Sequence, residues 1–155
     1  YKSNIKPFPH GHFYEAIINS NNQRALVRKI EFSSEDIESF YEFLNLVEQK
    51  YQLRSPLILN IYGMAINFTL VKKFDVILFY EPFSSFLPEV LAKKDFINNQ
   101  EELVRVLRMI VFLLISLQNI GFFLAALIPH CFVFSNEKNT SILFVDLFQE
   151  FQFKR

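Results

Sequence analysis

The chain has only three glycines, one cysteine and no net charge, and from Met109 to Ile128 it carries no charged residue at all. Each shortage excludes something. A single cysteine rules out an internal disulfide and supplies no metal-ligand spacing, which fits a reducing, intracellular and cytoplasmic setting. Sixteen cations balance sixteen anions with no basic tract, so the charge pattern supports neither a nucleic-acid partner nor an anionic membrane surface. Scarce glycine beside twenty phenylalanines argues against disorder and for an aromatic-rich core. No charged-then-apolar leader opens the chain at Tyr1, and the sequence reads as a processed or excised piece. Its 155 residues amount to about one domain, enough to bury a sizeable core.

Residues 5–8, 13–18 and 24–32 predict three short strands rich in β-branched and aromatic types. Pro9 and Gly11 break the first pair, and Asn19-Ser20-Asn21-Asn22 supplies the next turn because Asn tolerates left-handed backbone. Ser33-Ser34-Glu35-Asp36 has the form of a helix cap, with Ser33 accepting an amide and an acid three positions on. Ile37, Phe40, Tyr41, Leu44, Val47 and Tyr51 follow at three- and four-residue steps, giving a helix with one apolar face that stops before Pro56. Residues 57–62 form a short apolar run punctuated by Gly63. The 64–71 stretch alternates and predicts a strand with one solvated face, whereas 76–80 is apolar throughout, as for a strand buried on both sides. One or two helical turns are expected at 86–91. Asn99-Gln100-Glu101-Glu102 is a second capping pattern, continued at helical spacing by Leu103, Val106, Leu107, Ile110, Val111, Leu114 and Leu117. Residues 132–134 and 142–145 flank the polar 135–140 and predict a hairpin. The expected fold is α+β: a five-stranded antiparallel sheet with one helix, then a mainly helical part carrying a β-hairpin.

The uncharged 109–128 run meets the usual length of a membrane span, roughly 20 residues for about 30 Å of hydrocarbon. Gln118, Asn119 and Gly121 interrupt it, and Arg105 and Arg108 lie within its apolar periodicity. No basic cluster follows on the far side. A buried helix ending near Asn119 therefore fits better, with a membrane-associated protein holding 109–128 in lipid as the alternative.

Four stretches, taken in order, carry a resemblance. They are Pro9-His10-Gly11-His12-Phe13-Tyr14-Glu15-Ala16, Ala25-Leu26-Val27-Arg28-Lys29-Ile30, Gly121-Phe122-Phe123-Leu124-Ala125-Ala126-Leu127-Ile128-Pro129-His130-Cys131-Phe132-Val133, and Val145-Asp146-Leu147-Phe148. In order and spacing they resemble the first half of a protein kinase domain, over nearly the whole chain. The first stretch matches the family's glycine-rich loop, of which Gly11 is the one glycine kept. In the second, Arg28 stands at the place of the nucleotide-binding lysine, with Lys29 beside it facing the other way. The family's small-lobe helix matches 35–52, and Leu46 falls where a lysine-pairing glutamate is usual, with Glu42 one turn earlier. Glu81 lies at the family's hinge. The third stretch overlays the catalytic loop, His-Arg-Asp-Leu-Lys-Pro-x-Asn in active relatives. Leu124 stands for the histidine, Ala125 for the arginine, Ala126 for the aspartate, Ile128 for the lysine and Cys131 for the asparagine. The fourth overlays the metal-binding Asp-Phe-Gly and keeps Asp146 alone.

The resemblance implies a small lobe at 1–80, a hinge at 81–84 and a truncated large lobe at 85–155. It also implies a catalytically degenerate module, a pseudokinase. Phosphoryl transfer is positioning and charge stabilisation by metals, a lysine and a carboxylate. Ala126 has no group to orient a nucleophile, Ile128 cannot neutralise charge, and Cys131 is a poor ligand for a hard metal that wants oxygen. No enzyme activity and no required cofactor are expected. ATP and Mg²⁺ are what active relatives use, and Gly11, Arg28, Glu81 and Asp146 are the nucleotide-site vestige here, with Asp146 the one candidate metal ligand. The expected role is binding or scaffolding, with a protein partner or the remainder of a longer chain covering the large-lobe helix. A fragment of a longer kinase with weak ATP binding is the other alternative. His10-Gly11-His12 lacks a third metal ligand nearby, and His130 beside Cys131 reads as a neighbour of a buried thiol rather than a thiolate pair.

Overall fold

In the computed structural model, which describes residues 6–8, 11–18, 22–52, 55–122 and 128–148, the chain forms two compact units. The first comprises Tyr1–Arg54 with Asn60–Pro82, and the second Ser55–Leu59 with Phe83–Arg155.

The first unit is an antiparallel sheet with one helix. Its strands are β1 (Lys6–Phe8), β2 (Gly11–Ile18), β3 (Gln23–Ser33), β4 (Ile61–Leu70) and β5 (Lys73–Tyr80), in the order β1-β2-β3-β5-β4. The body of the sheet is the four strands β2 to β5. This corrects the expectation of a five-stranded sheet, to which β1 adds only three residues at one edge. Pro7 has no N–H to give a ladder, which confines such a segment to a short edge position. A second correction concerns Gly63, which does not end a segment. It lies inside β4, where the pairing with β5 shifts between Ile61 and Gly63, the signature of a bulge.

Helix α1 (Ile37–Tyr51) begins three residues later than the expected cap at Ser33 implies. Its cap is Asp36 rather than Ser33. Asp36 Oδ1 accepts the Ser39 N–H at 3.3 Å and Oδ2 accepts the Ser39 hydroxyl at 2.7 Å. Ser33 instead accepts the Glu35 N–H at 3.2 Å in the turn before it. The carboxylate serves two donors at a helix N-terminus, where negative charge is favoured. Phe40 and Phe43 of α1 then meet Phe32 of β3 at centroid distances of 5.6 and 5.4 Å, and Phe40 meets Phe74 of β5 edge-on at 5.0 Å. Burying each ring stabilises the fold by about 2–3 kcal/mol. This cluster fixes α1 on the sheet face that carries Phe32, Phe74, Val76 and Leu78.

The second unit contains β6 (Ser85–Phe86), α2 (Leu87–Leu91), α3 (Lys94–Ile97), α4 (Gln100–Asn119), a 3-10 turn at Pro129–Cys131, β7 (Phe132–Phe134) and β8 (Ile142–Phe144). The expected hairpin is β7–β8, and β6 joins it as a third strand too short to carry a periodic signal. Residues 57–59 brace β8 from the other side. Leu59 donates to the Phe144 carbonyl at 2.7 Å, and the Phe144 N–H to the Leu57 carbonyl at 2.9 Å.

Helix α4 has a defined start and a defined end. Asn99 Oδ1 accepts the Glu102 N–H at 3.3 Å. At the far end the Gly121 N–H donates to the Gln118 carbonyl and the Phe122 N–H to the Leu117 carbonyl, both at 3.0 Å. With Gly121 at φ +81°, this is the paired closure in which glycine adopts left-handed backbone at the end of a helix. The helix therefore ends at Asn119, inside the uncharged 109–128 run. Among the described residues no helix is long and apolar enough to cross a membrane.

Candidate functional site

The positions picked out by the sequence divide between the two units. Gly11, Arg28 and Glu81 lie in the first, and Ile128, Cys131 and Asp146 in the second. Leu124, Ala125 and Ala126 lie outside the described residues, as does His10.

Arg28 sits mid-strand in β3, opposite Phe13 of β2 and Leu78 of β5. Residues opposed across antiparallel strands share a face, so the side chain leaves the sheet between two fully buried apolar groups, and the residue itself is 2 % exposed. Lys29 points the other way, into solvent. Gly11 opens β2 and pairs with Phe8 of β1. Glu81 has local work. Its N–H donates to the Asn60 carbonyl at 2.8 Å and its carboxylate accepts the Asn60 N–H at 3.3 Å, tying the end of β5 to the entry of β4.

Asp146 is buried, and its Oδ1 accepts the Phe148 N–H at 2.9 Å. The bond closes a turn in which Phe148 has φ +53°, left-handed backbone that costs a bulky residue roughly 1–2 kcal/mol. Burial of the Phe148 ring offsets that cost, since removing a buried phenylalanine typically costs about 3–5 kcal/mol. The aspartate therefore acts as a turn carboxylate at the exit of a strand, and a phenylalanine occupies the conformation that glycine takes most easily. Cys131 is a buried thiol whose backbone joins Ile128 and Val145, while its neighbour His130 is half-exposed and lies 5.5 Å from the Phe86 ring. Among the described residues no three His, Cys, Asp or Glu side chains gather as a metal site would require.

A different feature stands out on α4. Val106, Leu113 and Leu117 are buried, whereas Val104, Leu107, Val111, Phe112 and Ile115 are between 45 and 68 % exposed. With Arg108 those five line an open, almost wholly apolar groove of about 430 Å³. Sequence spacing placed Leu107 and Val111 in the core and passed over Leu113. The helix is apolar around most of its circumference, so periodicity alone could not choose its inner face.

Near the start of α4 an ion pair ties helix to hairpin. Arg105 Nη2 lies 2.7 Å from Glu102 Oε2, and Arg105 Nη1 donates to the Asn139 carbonyl at 2.9 Å. Hydrogen bonding from Arg105 lowers the Glu102 pKa, and the same bond raises that of Arg105. Arg105 thus has a structural partner, whereas Arg108 faces the groove.

No protein-family model matches the chain, and no curated protein matches it either.

Proposed function

We propose that this chain is a kinase-like module that works by binding and scaffolding, without phosphotransfer, in the cytoplasm. The observation that supports it best is the outward face of α4, five large apolar side chains around one cation. Contiguous apolar surface of this kind in a water-facing position marks an interaction site. The partner that fits is a protein segment with an apolar face and a carboxylate placed to meet Arg108. The substituted positions Ala126, Ile128 and Cys131 support the absence of catalysis, since none can orient a hydroxyl or stabilise charge. Asp146, held in its turn by the Phe148 N–H, has a role that needs no metal. The module requires neither ATP nor Mg²⁺.

The test is a radiolabelled phosphotransfer assay with Mg²⁺-ATP and a general protein substrate, beside thermal unfolding with and without nucleotide. Counts should stay at buffer background and be indifferent to Asp146→Ala. Nucleotide should leave the melting curve in place, whereas a ligand at 100 times its Kd would stabilise by about 2.7 kcal/mol. Transfer above background that disappears in Asp146→Ala defeats the reading.

A further inference from the structure

The two edges of the five-stranded order in the first unit differ in kind. Soluble proteins blunt sheet edges with short strands, charged residues and proline, because an open row of N–H and C=O groups recruits another strand. The β1 edge does all three, with three residues that include Lys6 and Pro7. The β4 edge has none of these three, and its pairing with β5 is irregular only near its ends, between Ile61 and Gly63 and between Phe68 and Leu70. It runs ten residues, Ile61–Leu70, without a charge or a proline, and no charged residue occurs between Leu57 and Val71. Among the described residues it pairs only with β5. Its side chains are also in solvent: Met64 and Ile66 are about half-exposed and Phe68 is 81 % exposed.

We propose that the β4 edge pairs with the β4 edge of a second copy, antiparallel and two-fold about Ile66, joining two sheets into one. An extended strand is the occupant that satisfies unpaired backbone groups in a row. A second copy fits this edge because an uncharged strand laid antiparallel on itself places no like charges together. Centring on Ile66 opposes the regular stretch 64–68, between the register shifts at either end, to its copy and sets Phe68 against the partner's Met64, a favourable sulfur–aromatic pairing. These residues lie on the face of Phe74, Val76 and Leu78, their register partners in β5. α1 occupies the same face with Ile37 and Tyr41 exposed, so the two-fold places apolar helix surface of both copies on one side of the joined sheet.

The experiment uses the whole chain. Sedimentation velocity over a wide concentration series should show a monomer–dimer equilibrium. Ile66→Lys, which sets two ammonium groups against each other on the axis, should weaken it about a hundredfold, and Phe68→Lys should do so by about tenfold. Phe68→Lys changes a side chain already in water, so it reads association even where Ile66→Lys disturbs folding. Leu107→Lys on α4 should leave the dimer unchanged. Under mild oxidation Ile66→Cys should form a covalent dimer, because opposed antiparallel Cα atoms lie about 4.5–5.5 Å apart, within disulfide range. Ile17→Cys, more exposed but on β2, should not. A monomer at every concentration overturns the proposal. So do a dimer indifferent to both lysine variants, loss of the dimer in Leu107→Lys, and a monomer that takes up an extended peptide along β4 instead.

Discussion

Helices α1 and α4 look alike in the sequence and are used differently. Each is started by an Asx side chain and each repeats apolar residues at three- and four-residue steps. α1 sets Phe40 and Phe43 in a ring cluster with Phe32 and Phe74, leaves Ile37, Tyr41 and Tyr51 exposed, and turns Glu38, Glu42 and Glu48 to water. α4 buries Val106, Leu113 and Leu117, yet its opposite side still carries Val104, Leu107, Val111, Phe112 and Ile115. The lesson is that periodicity reports that a helix is packed, and the width of its apolar arc reports on how many sides. A helix apolar most of the way round is completed by something beyond its own inner layer.

The largest expected effects test that contrast directly. Phe43→Ala in α1 should cost about 3–5 kcal/mol and Leu113→Ala in α4 about 2–5 kcal/mol, since both empty fully packed positions. Phe112→Ala, one residue from Leu113 but 68 % exposed, should stay within about 0.5 kcal/mol. Urea denaturation midpoints at constant slope measure all three. A Phe112→Ala loss as large as that of Leu113→Ala would mean the outer face is already covered within the chain, and the two helices would then be alike.

What the sequence made legible follows the same logic. Elements with one driving pattern were readable: the alternating and aromatic strands, the presence of α1 though not its inner face, where Phe43 is buried and Ile37 and Tyr41 are exposed, the Asn99 cap, the stop near Asn119 and the β7–β8 hairpin. Elements set by tertiary context were not. β6 has two residues and exists because β7 offers an edge. β4 was expected to have one solvated face and shows two exposed ones, because its place at the sheet edge, unlike its composition, decides burial. The α1 cap went to Asp36 because a carboxylate there serves two donors at once, a competition between neighbouring polar residues that spacing does not rank. At the candidate site, Arg28 could be placed on its strand by alternation, but its depth depends on Phe13 and Leu78, contributed by two other strands. The turn role of Asp146 depends on the backbone angle of Phe148, which no composition rule assigns to a bulky aromatic.

The caps sharpen the comparison at a smaller scale. Asp36→Ala and Asn99→Ala should each cost about 1 kcal/mol, by leaving a first-turn N–H without its acceptor. Asp36→Ala should be the more costly, because it also strands the Ser39 hydroxyl and removes a negative charge from the helix N-terminus. Asn99→Asp should be neutral to slightly stabilising for the same electrostatic reason. Equal losses at the two caps would show that the second hydrogen bond of Asp36 adds nothing in solution. Paired denaturation of both alanine variants with Ser39→Ala separates the two contributions.

The smallest effect belongs to α4 alone, since α1 has no counterpart of Arg105 reaching out of the helix. Glu102 titrates below its ordinary value of 4.5, chiefly because Arg105 hydrogen-bonds its charged form; desolvation opposes that shift, and direct attraction to Arg105 adds the least. A carboxylate whose pKa is lower folded than unfolded stabilises the fold above the unfolded value, and that contribution disappears as pH falls through the folded one. Arg105 stays protonated throughout, its own pKa being raised by the same bond. Acidification through the carboxylate range should therefore loosen the Glu102–Arg105 pair while leaving the Arg105 bond to the Asn139 carbonyl in place. In Glu102→Gln the acid-side slope of stability against pH should be shallower than in the wild type, with the curves converging at the lowest pH. Because the pair is solvent-accessible, added salt should shrink the difference. A wild-type slope identical to that of Glu102→Gln would leave the Asn139 bond as the whole of what Arg105 contributes.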